Sequence, residues 1–153
     1  MSGAGQSGVV TGIYVGPQGM VERANAVAGR GLEGDRYFDG TGFFYVEGKN
    51  GQDVTLVEAE ALESLANETG IVLSAADARR NVVTRGIRLN ELVGRRFLVG
   101  DVECVGVRLC PPCAHLQQVT QPGVLRGLLH RGGLRADIVR GGEIAVGATV
   151  TPL

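Results

Sequence analysis

A mainly β fold, a closed or strongly curved barrel with short peripheral helices, is what this sequence predicts. Short β-leaning runs recur at nearly every turn signal. Only two stretches have sustained helical periodicity, and 25 glycines in 153 residues describe a chain full of turns and bends. The length suits one domain with its own core, here residues 9–153 behind a flexible N-terminus of residues 1–8.

In chain order, Val9 to Val15 (VVTGIYV) and Met20 to Val27 (MVERANAV) read as strands joined through Gly16, Pro17, Gln18 and Gly19, a hairpin. Gly29 to Gly51 is too rich in Gly, Asp and Asn for one regular element. It reads as a long loop with a short strand at Phe43 to Val46, and a loop of that length inside a domain points to binding. Asp53 to Val57 is a strand, and Thr55 with Glu58 has the form of a capping box, so a helix should follow. From Glu58 to Thr69 the residues Ala61, Leu62, Leu65 and Ala66 share one helical face, and Gly70 is a natural terminator. Ala75 to Arg80 gives one helical turn before the β-branched run Asn81 to Thr84, which puts Arg79, Arg80 and Asn81 at a strand entrance.

Leu89 to Leu92 is a turn or short strand, and Arg95 to Val99 pairs with Val102 to Val107 across Gly100 and Asp101. Gly123 to Arg131 carries Leu125, Leu128 and Leu129 on one face, a second short helix on the outside. Leu134 to Val139, Glu143 to Val146 and Thr149 to Thr151 close the chain as strands divided by Gly141, Gly142 and Gly147. There is no internal repeat and no phosphate-loop pattern.

Charge narrows the partners. A formal net charge of -1 supplies no global basic field for nucleic acid or a membrane surface. No apolar run approaches the ~20 residues that span a bilayer, and the first residues lack the basic and apolar regions of a signal peptide. A cytoplasmic protein is expected. Of the 15 basic residues only Lys49 is a lysine. Codon bias is the plainer explanation, and the functional one is that a planar five-donor fork suits phosphate and carboxylate.

The reactive chemistry is concentrated in Arg108 to Leu116 (RLCPPCAHL), which holds Cys110, Cys113 and His115. Two prolines cannot continue a ladder, so the preceding strand ends there and a thiol pair is presented on a stiff turn. Three readings stand at this point. Zinc is one, with Cys104 as a further thiolate, although Cys104 lies in a strand and no second CxxC or HxxxH completes four ligands. A redox dithiol is another, although neither a βαβ context nor a helix start is present. The third is two buried thiols with no chemistry.

Several segments together resemble the MOSC domains, the C-terminal module of molybdenum-cofactor sulfurases and its free-standing bacterial relatives. They are GRGLEGDRY (Gly29 to Tyr37), VTLVEAEAL (Val54 to Leu62), ARRNVVTRG (Ala78 to Gly86), LNELVGRRFLVGDVE (Leu89 to Glu103), RLCPPCAHL, RGGLRADIV and GGEIAVG. Their order covers nearly the whole chain. The resemblance implies a barrel of the pyruvate-kinase-barrel type and a functional cysteine that coordinates molybdenum in cofactor-binding members. That cysteine matches Cys113, whereas Cys110 falls where relatives vary.

The family's basic pair and Asn fall on Arg79, Arg80 and Asn81. Arg85 is a further candidate for cofactor contact, and Asp35 and Arg36 are expected on the same side of the barrel as Cys113. A thiolate suits the soft molybdenum of molybdopterin, and arginine forks suit its phosphate. Pyridoxal phosphate, which full-length sulfurases carry in a separate domain, is not expected, since Lys49 is the only lysine available for a Schiff base.

By resemblance, the expected function is a molybdenum-cofactor-binding reductase component. It would act on a small N-hydroxylated substrate, with electrons from a separate reductase partner. The alternative is a non-redox carrier of cofactor or sulfur that works with a donor protein.

Overall fold

Strand after strand, apolar residues alternate with polar ones. In Val102–Leu109 the residues Val102, Cys104 and Gly106 are buried while their neighbours are partly exposed, and in Leu134–Arg140 the same holds for Leu134, Ala136 and Ile138. That period of two places one face of each strand in a common core. The computed structural model describes residues 7–16, 19–35, 50–72, 80–109 and 132–153.

Among the described residues the strands are β1 (Gly8–Val15), β2 (Gly19–Val21), β3 (Arg23–Val27), β4 (Gly31–Leu32), β5 (Val54–Glu58) and β6 (Val82–Arg85), then β7 (Arg96–Val99), β8 (Val102–Leu109), β9 (Leu134–Arg140), β10 (Gly142–Ala145) and β11 (Thr149–Pro152). One helix, α1 (Ala59–Thr69), and a 3-10 turn at Leu89–Leu92 accompany them. The large sheet runs β11-β7-β8-β9-β5-β6-β1-β2, and β11 also pairs with β1. Seven strands thus close into a barrel, with β2 appended outside the ring. Closure leaves no open edge within the ring, and Ile13, Leu56, Phe97, Val99 and Leu134 fill the interior.

A β-bulge tunes β1. Val10 pairs with Thr84 and Gly12 with Val83, so Thr11 is the extra residue. Val10 and Ile13 are three apart, yet they are 1% and 0% exposed. An unbroken pleat would put them on opposite faces, and the bulge resets the phase so both face the core.

The expected first hairpin forms only in part. β2 pairs with β1, but the chain bends at Glu22 and β3 joins a second, three-stranded sheet, β10-β3-β4. The reason is parity: Val21 and Ala24 both pack on the core, and residues three apart in one straight strand cannot share a face.

β5, α1 and β6 make a crossover in which β5 and β6 run parallel, Leu56 opposite Val82. Leu56 and Val82 face the interior, whereas Val57 and Val83 face outward beneath Ala59 and Leu62 of the helix. Leu65, fully buried, adds roughly 1.5–3 kcal/mol by burial alone. Gly70 ends α1 in the left-handed region at φ 76°, its N–H bonded to the Ala66 carbonyl.

The capping box is a correction. Thr55 lies inside β5, four residues before the helix begins, and Glu58 occupies the N-cap position without a side-chain cap. Glu58 Oε2 instead accepts the Leu89 N–H at 3.1 Å, and Glu60 Oε2 accepts the Gly86 N–H at 2.8 Å. The acids at the start of α1 hold the chain that leaves β6. Burial pushes the Glu58 carboxyl above its usual range, against the opposing pull of the Leu89 N–H.

The 3-10 turn packs where β8 has glycine: a Cβ on Gly106 would lie 2.0 Å from the Leu92 carbonyl oxygen. The Arg96–Val99 and Val102–Leu109 hairpin forms as the sequence predicts. The predicted strand at Phe43 to Val46, the helix at Gly123 to Arg131 and most of the turn at Ala75 to Arg80 lie outside the described residues. Among the described residues no helix is long and apolar enough to cross a membrane.

Candidate functional site

Three stretches bearing candidate residues, 36–49, 73–79 and 110–131, lie outside the described residues, and with them Arg36, Arg79, Cys110 and Cys113. The described residues that flank these stretches are bonded to one another. Asp35, before the first, accepts from Asn81 Nδ2 at 3.1 Å through Oδ1. Asn50, after the first, accepts from Arg108 Nη1 at 3.1 Å through its carbonyl, and Arg108 stands two residues before the third. Gly132, after the third, accepts from Arg80 Nε at 2.7 Å, and Arg80 directly follows the second.

Asp35, Arg80 and Asn81 are therefore brought together beside the points where the cysteine-bearing stretch leaves and rejoins the barrel. β8 and β9 pair up to Leu109 opposite Leu134, so those two points are adjacent. Arg85 is not part of this group. It sits at the other end of β6, where its guanidinium makes an exposed ion pair with Glu63 that holds the Glu63 carboxyl below its usual range.

Asn81 is the knot. Its Oδ1 accepts from the Thr55 N–H at 3.0 Å and from the Thr55 hydroxyl at 3.1 Å. Its Nδ2 donates to the Tyr14 carbonyl and to Asp35 Oδ1, both at 3.1 Å. A carboxamide offers two acceptor and two donor positions, and all are used on protein. Asn81 thus ties β1 and β5 to Asp35. Asp35 Oδ1 also accepts the Gly16 N–H at 3.0 Å. Arg80, 7% exposed, is held as firmly, since a buried guanidinium requires partners.

A polar row crosses the outer face of neighbouring strands here. Arg108 of β8 is opposite Arg135 of β9, which is opposite Thr55 of β5, whose hydroxyl reaches Asn81. Arg108, Arg135 and Thr55 were not singled out from sequence. Arg108 opens the CPPC stretch, and Arg135 alternates with the buried Leu134 and Ala136; those were the available signals. Thr55 carried a misleading one, the capping pattern.

Two carboxylates support the segment from Asn50. Asp137 Oδ1 accepts the Gly51 N–H at 2.7 Å, and Asp53 Oδ2 accepts the Ile138 N–H at 2.9 Å. Burial pushes the Asp53 carboxyl above its ordinary range, opposed by the Ile138 N–H and aided by the charge of Asp137.

Cys104 is excluded as a ligand. It is fully buried in the core, and desolvation with nearby carboxylates pushes its thiol up to about 12. Among the described residues no three His, Cys, Asp or Glu side chains gather to hold a metal. The other two cysteines, Cys110 and Cys113, lie in the stretch 110–131.

The chain is similar in structure to the YuaD protein from Bacillus subtilis, with a TM-score of 0.78 and 17% identity over 94% of each chain. It is similar to YiiM from Escherichia coli, with a TM-score of 0.71 and 16% identity, covering 96% of this chain and 69% of that one. YiiM from Geobacillus stearothermophilus matches at 0.60 and 16% identity, over 69% of this chain and 56% of that chain. At such identities the likeness establishes the fold. No curated protein matches in sequence. The model of the MOSC domain matches residues 45–151. By that match the chain belongs to the MOSC domain family, which is associated with binding of the molybdenum cofactor.

Proposed function

We propose that this chain binds the molybdenum cofactor and works as the terminal component of a reductase acting on small N-hydroxylated compounds. The observation that carries the reading is the convergence of Asp35, Arg80 and Asn81 with the flanks of the cysteine-bearing stretch.

The donor set fits the group. Arg80, with Arg79, suits the pterin phosphate, because guanidinium forks match phosphate oxygens. Cys113, the position that matches the family's functional cysteine, is the thiolate that the resemblance implies for the metal, a soft ligand for a soft site. Asn81 and Asp35, bonded to each other, brace this part of the barrel beside Arg80. When bound, the cofactor would supply two-electron redox chemistry, the change that with two protons converts R-NHOH to R-NH2 and water. The electrons come from a separate flavin or iron-sulfur protein.

The test is molybdenum content of protein purified from a host that makes the cofactor, with Cys113→Ser and Cys110→Ser in parallel. Near-stoichiometric metal in the parent and in Cys110→Ser, and loss in Cys113→Ser at an unchanged thermal midpoint, is the expected pattern. Equal loss in both variants points to a two-cysteine site, and undiminished metal in Cys113→Ser removes the assigned ligand. Turnover of a hydroxylamine with a reductase partner then separates an enzyme from a carrier of cofactor or sulfur.

A further inference from the structure

Arg108 and Arg135 are register partners on β8 and β9. Directly opposed residues share a face with their Cα atoms about 4.5–5.5 Å apart, and like charges so placed repel. That face is the outer one, because Leu134 and Ala136 on either side of Arg135 are buried in the core. Neither arginine has a carboxylate partner among the described residues. Arg108 spends only Nη1, on the Asn50 carbonyl and Oδ1 at 3.1 and 3.3 Å, and the Arg135 guanidinium makes no hydrogen bond or ion pair there. Asp137, two residues on from Arg135, accepts the Gly51 N–H through Oδ1.

Gly51 adopts φ +77°, the left-handed region that glycine favours, and the Arg108 guanidinium lies against it, with Nη1 2.7 Å from where a Cβ would stand. Asn50 holds Nη1 of Arg108, and Nε and Nη2 make no hydrogen bond among the described residues.

We propose that Arg108 and Arg135 form a two-arginine site for the oxyanion of a phosphate monoester, on the outer face of β8 and β9 next to the cysteine-bearing stretch. Two forks on neighbouring strands give charge-assisted bonds to several oxygens of one dianion, whose charge also removes their mutual repulsion. The phosphate is either that of the cofactor or that of a phosphorylated substrate. The inference stands on the two arginines and deepens the functional reading without depending on it.

The experiment uses the full chain made in a host unable to synthesise the cofactor. Inorganic phosphate is titrated in at ionic strength held constant with chloride, reading heat and thermal midpoint. The expected result is saturable binding that raises the midpoint. Arg108→Gln and Arg135→Gln each weaken binding by about ten-fold, the scale of one charge-assisted hydrogen bond, and the double variant does not bind. Arg108→Lys and Arg135→Lys keep the charge and retain intermediate affinity, and Arg88→Gln, beside Glu91 elsewhere on the surface, behaves as the parent. Phosphate acting no differently from chloride on the parent overturns the proposal, as does a folded double variant that binds like the parent.

Repeating the titration on loaded protein distinguishes the sources. A silent titration, with molybdenum lost in the double variant, assigns the cofactor's phosphate. A persistent titration with molybdenum unchanged assigns a substrate phosphate. Absence of molybdenum from the parent defeats the cofactor reading but leaves the apo-protein titration standing.

Discussion

Removing the Asn81 carboxamide tests whether this side chain is the knot of the site. In Asn81→Ala the Thr55 N–H loses its Oδ1 acceptor, and the Tyr14 carbonyl and the Asp35 carboxylate each lose a donor. A buried donor left unpaired costs about 1–3 kcal/mol, and a typical neutral hydrogen bond contributes about 1 kcal/mol net. With the charge-assisted contact to Asp35 and some entry of water, the total is about 3 kcal/mol. For a chain of this length that is a fall of roughly 6–12 °C in thermal midpoint.

Asn81→Asp sharpens the test. It is nearly isosteric, but it sets an oxygen where Nδ2 now stands 3.1 Å from Asp35 Oδ1. Two carboxylates so close raise the folded-state pKa of one of them. The penalty is therefore present above that raised pKa and is relieved as pH falls through it. Urea unfolding at pH 7 and at about pH 5 measures both variants. The expected outcome is a deficit in Asn81→Asp at least as large as in Asn81→Ala at neutral pH, shrinking in acid. A loss below about 1 kcal/mol in Asn81→Ala, or an Asn81→Asp protein as stable as the parent at pH 7, would refute the reasoning.

Three further outcomes follow from the same structure. Asp53, whose folded pKa is raised chiefly by burial, binds its proton more tightly when folded. The parent should therefore gain stability relative to Asp53→Asn as pH falls from about 7 towards 4, and urea midpoints that diverge in the opposite sense would contradict this. Cys104, with its thiol pushed up to about 12, should resist alkylation of the native protein at pH 8, where about one thiol in ten thousand is ionised; mass-spectrometric mapping that finds it labelled ahead of Cys110 and Cys113 would count against the core assignment. Gly106→Ala forces a Cβ to 2.0 Å from the Leu92 carbonyl, whereas Gly70→Ala meets no atom within 4 Å but sits at φ 76°. The first should lose more stability, about 3 kcal/mol or more by overpacking against about 1–2 kcal/mol for the left-handed alanine, and calorimetry giving the reverse order would show that the turn moves aside freely.

The local periods alone settled much of this protein. The apolar stripe of α1 and its stop at Gly70, the hairpin across Gly100 and Asp101, and the alternation in β8 and β9 each depend on residues within one element or one turn. Side-chain direction repeats within such units, so a stretch of chain carries the whole signal. Glycine-spaced short strands announced a barrel, and the order of the motifs announced the family.

Tertiary structure decided the rest. Thr55 followed by Glu58 looks like a helix cap until β5 extends through Glu58 and the Thr55 hydroxyl turns to Asn81. Met20 to Val27 looks like one strand until the core claims both Val21 and Ala24. The partners of Asn81 lie 26, 46 and 67 residues away along the chain, and the opposition of Arg108 to Arg135 exists only once β8 and β9 take their register. Periodicity states which face a residue occupies, but which residues of distant strands stand opposite one another is fixed by bulges, bends and barrel closure acting on the whole chain at once.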